Sequence, residues 1–295
     1  MIASVSVDLD GLGCYAAIHG LPLRLDDGAL RAVPEVAVSR LCALFAGLDI
    51  AATFFVIGRE LAISTAGIGA AAGAGHEIAS HSFAHDYALS RLPREAIDRD
   101  LSLAEDAIAA AVGTRPRGFR VPGYTLSKAL LEVILARGYR YDSSLLPSPL
   151  YYTAKAAVMG FHALRGRRSH SILGSPSQLL GARRAHLRRG VRELPVSTLP
   201  LLRLPVIGTV AVGVPERMGA FLSGRAFAGG HFNLELHGID ALDASDAPPA
   251  LARVQPGLSM PAALKLKRLR ALIVSLKERA ALVTLEEAAR RIWPG

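Results

Sequence analysis

The sequence predicts an α/β architecture, a barrel or a doubly wound sheet. Two observations lead there. Strand-like apolar runs alternate with amphipathic helical stretches about every thirty residues. Several of the predicted strands also end in Asp, Arg or His, at the end where α/β barrels place their active sites.

The elements follow in order. Residues 5–10 read as the first strand, ending in Asp8-Leu9-Asp10. Residues 34–45 carry apolar side chains at Val38, Leu41, Leu44 and Phe45, with Pro34 placed for a first helical turn and Gly47 for a C-cap. Residues 51–57 form an unbroken apolar run, as a parallel strand buried on both faces requires. Residues 76–80 read as a buried strand that leads into His81-Ser-Phe-Ala-His85. One helical turn there would set both imidazoles on one face, as two nitrogen ligands of a divalent metal need.

Pro93 opens a helix striped by Ile97, Leu101, Ala104, Ile108 and Val112, and Gly113 follows its end. Residues 117–121 make a short strand stopped by Pro122-Gly123. Ser127 can N-cap a helix that Gly138 closes, and residues 139–142 form the next strand. The rhythm breaks over residues 145–192, rich in Pro, Gly, Ser and Arg, and resumes with strands at 193–197 and 231–237. A basic amphipathic helix over 261–279, a strand at 281–284 and a closing helix over 285–293 complete the chain.

At 295 residues and 51% hydrophobic, the chain can bury a large core within a single domain. No apolar run is long enough for a membrane span, and no signal peptide is visible after Met1, so a cytoplasmic location is expected. Cys14 and Cys42 offer neither a disulfide framework nor a thiolate metal site. The net charge of +9 is local. Between Asp142 and Glu193 there is no acid, but there are nine basic residues: Lys155, Arg165, Arg167, Arg168, Arg183, Arg184, Arg188, Arg189 and Arg192.

Asp8 and Asp10, two apart on a strand, face the same way. Two carboxylates aimed into one site repel unless something positive lies beside them. A metal held by His81, His85 and one Asp would be that charge, and the other Asp would be free as a base. Arg120 in Phe119-Arg120-Val-Pro-Gly-Tyr124, Asp142 in Tyr141-Asp142-Ser143-Ser144 and His237 in Leu236-His237-Gly238 stand at further strand ends. Taken singly, each is an ordinary strand-end acid, salt bridge or core histidine. Their joint occurrence is harder to dismiss.

In this order, Asp-x-Asp, His-Ser-x-x-His, Arg-x-Pro-Gly, Asp-Ser-Ser and Leu-His-Gly resemble the motifs of the polysaccharide deacetylase superfamily (NodB homology, carbohydrate esterase family 4). The resemblance covers roughly residues 2–145 and 192–240. It implies a distorted (β/α)7-type barrel spanning residues 1–295, with a basic insertion at about 145–192. It also implies Asp8 as general base, Asp10, His81 and His85 as ligands of a divalent metal, most often Zn2+, and Arg120 as the residue orienting the base. His237 resembles the general acid and Asp142 the carboxylate that tunes it. Pro122, Tyr124 and Ser143 fall at substrate-binding positions, with a backbone amide near Ser143 as an oxyanion donor. Leu9 between the two aspartates departs from the commoner adjacent pair, which loosens the substrate assignment more than the mechanism.

The implied reaction is hydrolysis of an N-acyl amide, acetyl above all, on an amino sugar, a glycan precursor or a lipid-linked sugar. Deformylation of a polyprenyl-phosphate-linked formamido sugar and hydrolysis of a cyclic imide or ureide remain open within the same superfamily. The basic segment beside apolar pieces suits an anionic membrane or a polyprenyl phosphate on the inner membrane face. A nucleic-acid- or sugar-binding pseudoenzyme is the non-enzymatic alternative. The scarcity of aromatics in the basic segment and the intact motifs argue against nucleic acid.

Overall fold

The computed structural model describes residues 1–164, 172, 176–216 and 230–294. Nine strands are found among these residues: β1 (Ile2–Asp8), β2 (Thr53–Val56), β3 (Glu77–Ser80), β4 (Gly118–Phe119), β5 (Tyr141–Asp142), β6 (His186–Arg188), β7 (Val191–Glu193), β8 (His231–His237) and β9 (Ala281–Leu282). The helices in the first half are α1 (Leu12–Ile18), α2 (Asp27–Arg31), α3 (Val38–Ala46), α4 (Ala66–Gly73), α5 (Arg94–Val112) and α6 (Lys128–Ala136). Those in the second half are α7 (Pro149–Leu164), α8 (Pro176–Leu179), α9 (Gly208–Gly213), α10 (Pro249–Ala252), α11 (Ala262–Lys277) and α12 (Leu285–Ile292).

The strands lie in the order β6-β7-β5-β4-β3-β2-β1-β8, and β9 pairs with the start of β1. Every pairing is parallel except β6 with β7. Residues 194–198 curl the sheet into a half-barrel. The amide of Leu194 donates to Asp142 O, that of Val196 to Leu145 O and that of Ser197 to Asn233 O, so the chain beyond β7 reaches back to β8.

β1 shows why the barrel forms. Ala3, Val5 and Val7 are buried in the large core with Phe45, Phe54, Leu269 and Ile273. Alternation puts Ser4, Ser6 and Asp8 on the opposite face, the concave one. β8 matches it in register, Ile2 opposite His231 and Asp8 opposite His237. Its Phe232, Leu234 and Leu236 join the same core, while Ser6 Oγ donates to Asn233 Oδ1 across the concave face at 2.9 Å. Polar partners inside and apolar partners outside fix both register and curvature.

The caps agree with the sequence. Ser127 Oγ accepts from Leu130 N at the start of α6, and Gly113 and Gly138 take positive φ after helix ends. Two expectations change. Pro34 does not open an α-helix: residues Ala32–Ala37 wind as a π-helix before α3. Pro34 O then packs against Gly67, where an added Cβ would stand 2.0 Å away. The basic segment, expected to be irregular, holds α7 and a hairpin. Arg189 and Gly190, both at positive φ, turn β6 into β7 in two residues, the type I′ geometry. Arg165, Arg167 and Arg168 lie outside the described residues. Cys14 and Cys42 are free thiols, and among the described residues no helix is long and apolar enough to cross a membrane.

Candidate metal and catalytic site

The two histidines that follow β3 are not carried on a helical turn. His81 leaves the strand with its amide donating to Val56 O, and the chain then turns through Ser82 at φ +65° and His85 at φ +51°. Such left-handed conformations are costly for non-glycine residues and persist where surrounding contacts enforce them. Here the enforcement is visible. Ser82 Oγ accepts from His85 N, Asp100 of α5 accepts from the amides of Phe83 and Ala84, and Gly58 N and Arg59 N donate to the carbonyls of Ser82 and Phe83. Gly58 allows this approach, since a Cβ there would meet the Phe83 ring at 2.8 Å. The loop, rather than a helix face, brings the rings together with centroids 4.9 Å apart.

Asp10, just past β1, completes a buried cluster with them. Asp10 Oδ1 lies 3.4 Å from His81 Nε2 and 3.1 Å from His85 Nε2. The second distance suits a hydrogen bond but the alignment does not, and Asp10 Oδ1 and His85 Nε2 are both buried without a hydrogen-bond partner. His81 Nδ1 lies 2.8 Å from Arg120 O, which can only accept, so Nδ1 carries a proton and Nε2 is the nitrogen turned toward Asp10. Burial alone would raise Asp10, but the two imidazoles outweigh it and hold the carboxyl well below its usual range. Three donors thus converge on one point, and a two-His-one-carboxylate set of this kind fits a divalent metal ion.

Beside this cluster the positive charge is already supplied. Arg120, fully buried after β4, donates from Nη1 to Asp8 Oδ1, from Nη2 to Ser6 Oγ and Ser143 Oγ, and from Nε to Ser143 O. The guanidinium carbon lies 4.1 Å from the centre of the Phe55 ring. Burial works against ionisation of Asp8, but Arg120, His81 and His237 outweigh it and keep the carboxylate below its ordinary value. Asp8, Glu235 and His237 form a second close group, in which Arg120 is the cation: its Nη1 stands 3.4 Å from Glu235.

His237 ends β8 opposite Asp8. Burial would lower its pKa, but Glu235, Asp8, Asp10 and Asp240 outweigh that and raise it above the ordinary histidine value. Asp240 also accepts the His237 amide. Glu235 is raised to about 7, chiefly by burial, with Arg120 opposing, and it accepts from the Tyr124 hydroxyl at 2.8 Å. Asp142, expected to tune His237, does not face it. It accepts from Ser144 and sits against Glu193, in a pair where burial raises both acids, Asp142 to about 6. Glu235 and Asp240, rather than Asp142, are the acids beside His237 on its own strand and turn.

The expected substrate-binding positions divide as well. Tyr124 lines the pocket above the cluster, together with Gly123. Pro122 is buried at the start of the same turn and is not among the pocket's lining residues. Ser143 is fully buried as a brace for Arg120, and its amide is spent on Phe119 O, so it offers no oxyanion donor. Glu235 was missed, although Glu235-Leu-His237 has the same two-residue spacing that singled out Asp8 and Asp10.

Asp8, Asp10, His81 and His237 open into one cavity of about 400 Å³. Opposite them its walls are mostly apolar, with Leu204, Ile207, Val210 and Ile239.

The polysaccharide deacetylase family model matches residues 21–141, which include His81, His85 and Arg120 but not Asp8, Asp10 or His237. A peptidoglycan deacetylase of Helicobacter pylori is 26% identical over 147 residues, 50% of this chain and 50% of that protein. The chain spans about half the length of the curated relatives it matches. Among solved structures, a Mycobacterium smegmatis protein named for the polysaccharide deacetylases superposes with a TM-score of 0.64 at 19% identity, covering 99% of this chain and 89% of that one. A carbohydrate esterase family 4 pseudoenzyme from Bacillus anthracis superposes with a TM-score of 0.53 at 12% identity, covering 98% of this chain and 65% of that one. Residues 21–141 of this chain are thus similar to the polysaccharide deacetylases, and its half-barrel sheet shares the fold of the Mycobacterium smegmatis protein.

Proposed function

We propose that the chain is a zinc-dependent amidohydrolase that removes an acyl group, acetyl above all, from the nitrogen of an amino sugar in a glycan. The observation that carries this reading is one pocket lined by Asp8, Asp10 and His81, with His85 clustered on Asp10 and His81 and with Asp8 held by Arg120. Two imidazoles and a carboxylate are donors that suit zinc. The name of the Helicobacter pylori relative supports peptidoglycan as the substrate class.

A divalent ion held by Asp10, His81 and His85 would supply Lewis acidity toward the amide carbonyl and toward water. Asp8 takes the proton of the attacking water at Oδ2, because Oδ1 is engaged by Arg120. His237 gives a proton to the departing nitrogen, and its acidic neighbours keep it charged for that step. Arg120, held on Ser6 and Ser143, fixes the orientation of Asp8. Ile207, Val210 and Ile239 give the acyl group an apolar surround that excludes bulk water.

Members of the fold include a protein described as a pseudoenzyme, so activity needs its own support. Here Asp8, Asp10, His81, His85, Arg120 and His237 are all present and aimed at one another, which favours catalysis. The test is release of acetate and formate from N-acetylglucosamine oligomers and peptidoglycan fragments by chelator-treated protein, before and after zinc is added. Acetate release that depends on zinc is expected. No release from any of these substrates by zinc-loaded protein would reject the reading.

A further inference from the structure

The catalytic pocket continues into a second cavity of about 280 Å³, and the two share Ile18, Tyr87, Tyr151 and Ala154. The far wall of the second cavity is Val158 and Met159. Tyr151, Ala154, Lys155, Val158 and Met159 recur at the spacing of one helix face, so the groove follows α7 for about two turns, roughly 12 Å. Val158 is 50% exposed, so this apolar stripe is left partly open to solvent.

One cation stands where the two cavities meet. Lys155 Nζ donates to Gly123 O at 3.3 Å, and Gly123 itself lines the catalytic pocket. The rings of Tyr87 and Tyr151 lie 5.9 and 6.0 Å from the ammonium. Among the described residues no carboxylate comes within ion-pair distance of it. Burial lowers its pKa to about 8. The surrounding segment carries nine basic residues and no acid, so the local field favours an anion.

We infer that this groove is a subsite for an apolar chain bearing a phosphate, with the phosphate on Lys155, the chain along α7, and the acylated sugar in the catalytic pocket. The placement of the sugar rests on the proposed function; the groove and its cation do not. The ammonium has N–H groups left after Gly123 O, and a phosphate offers several oxygens to receive them. An apolar chain then covers the stripe from Ala154 to Met159.

The experiment is calorimetric titration of the zinc-loaded full chain with decyl phosphate, decyl maltoside and inorganic phosphate, each below its micellar range where it has one. Decyl phosphate is expected to bind one per chain and at least tenfold tighter than either of the others. Lys155→Met should weaken it at least tenfold, Lys155→Arg should retain most of it, and Ala154→Trp should block it. His81→Ala should leave it in place, showing that the phosphate is not simply on the metal. Equal binding of decyl maltoside, or decyl phosphate binding unaffected by Lys155→Met but lost in His81→Ala, overturns the subsite. Because the readout is binding, decyl phosphate bound normally by a protein that hydrolyses no amide would reject the catalytic reading and leave the subsite standing.

Discussion

His231 and His237 lie on the same strand, on the same face, and both are largely buried, yet they are pushed in opposite directions. His231 opens β8 opposite Ile2, with Ser4 Oγ at 3.1 Å as its polar neighbour, and burial lowers it to about 4. His237 closes β8 among Asp8, Asp10, Glu235 and Asp240, which outweigh burial and raise it. The contrast teaches that the strand pair β1–β8 is one scaffold with an inert end and an acid-lined end, the reactive end of the proposed function. What differs is where the chain puts its carboxylates. All four acids that act on His237 come from the C-terminal ends of β1 and β8 or the turns just beyond them.

The strongest way to break the comparison is at the reactive end. Asp8→Asn keeps the shape but removes the base, so kcat should fall by about three orders of magnitude while zinc is still bound, measured by acetate release and metal content. If turnover survives, Asp8 is not the base. Arg120→Met is expected to cost about 3–5 kcal/mol in folding, because it leaves Asp8 buried without its cation. Urea denaturation measures this, and a cost under about 1 kcal/mol would show that Asp8 is solvated or protonated in the folded chain.

The inert end gives a pH signature. The folded pKa of His231 is about 4 against 6.5 for the free side chain, so between these values the unfolded chain takes up a proton that the folded chain refuses. Its contribution is therefore complete above about 6.5 and is lost as pH falls toward 4, by on the order of 3 kcal/mol in total. His231→Gln should flatten the stability profile across that window, and an unchanged slope would place the titration elsewhere. The smallest expected effect is Ser143→Ala, which removes one brace from Arg120 at a cost of about 1–2 kcal/mol by denaturant midpoint.

The parts of this site that the sequence revealed are those set by local chemistry. Strand ends announce themselves by apolar runs that stop in Asp, Arg or His, so Asp8, Asp10, His81, His85, Arg120 and His237 could all be picked out, and the alternation of elements showed the α/β class. What stayed hidden depends on partners distant in the chain. The His81–His85 loop takes its shape from Asp100 and Gly58, not from helical spacing. Asp142 turns to Glu193, 51 residues on, a pairing that strand order decides. Lys155 became notable once α7 was seen to pack against Gly123 and Tyr87.

The measurement that tests the central claim most directly is zinc titration of the metal-free chain and three variants. The account predicts one ion per chain for the wild type and for Asp8→Asn, with binding lost in His81→Ala and in Asp10→Ala. A wild-type chain that takes up no divalent ion, or a His81→Ala variant that binds as tightly as the wild type, would contradict it.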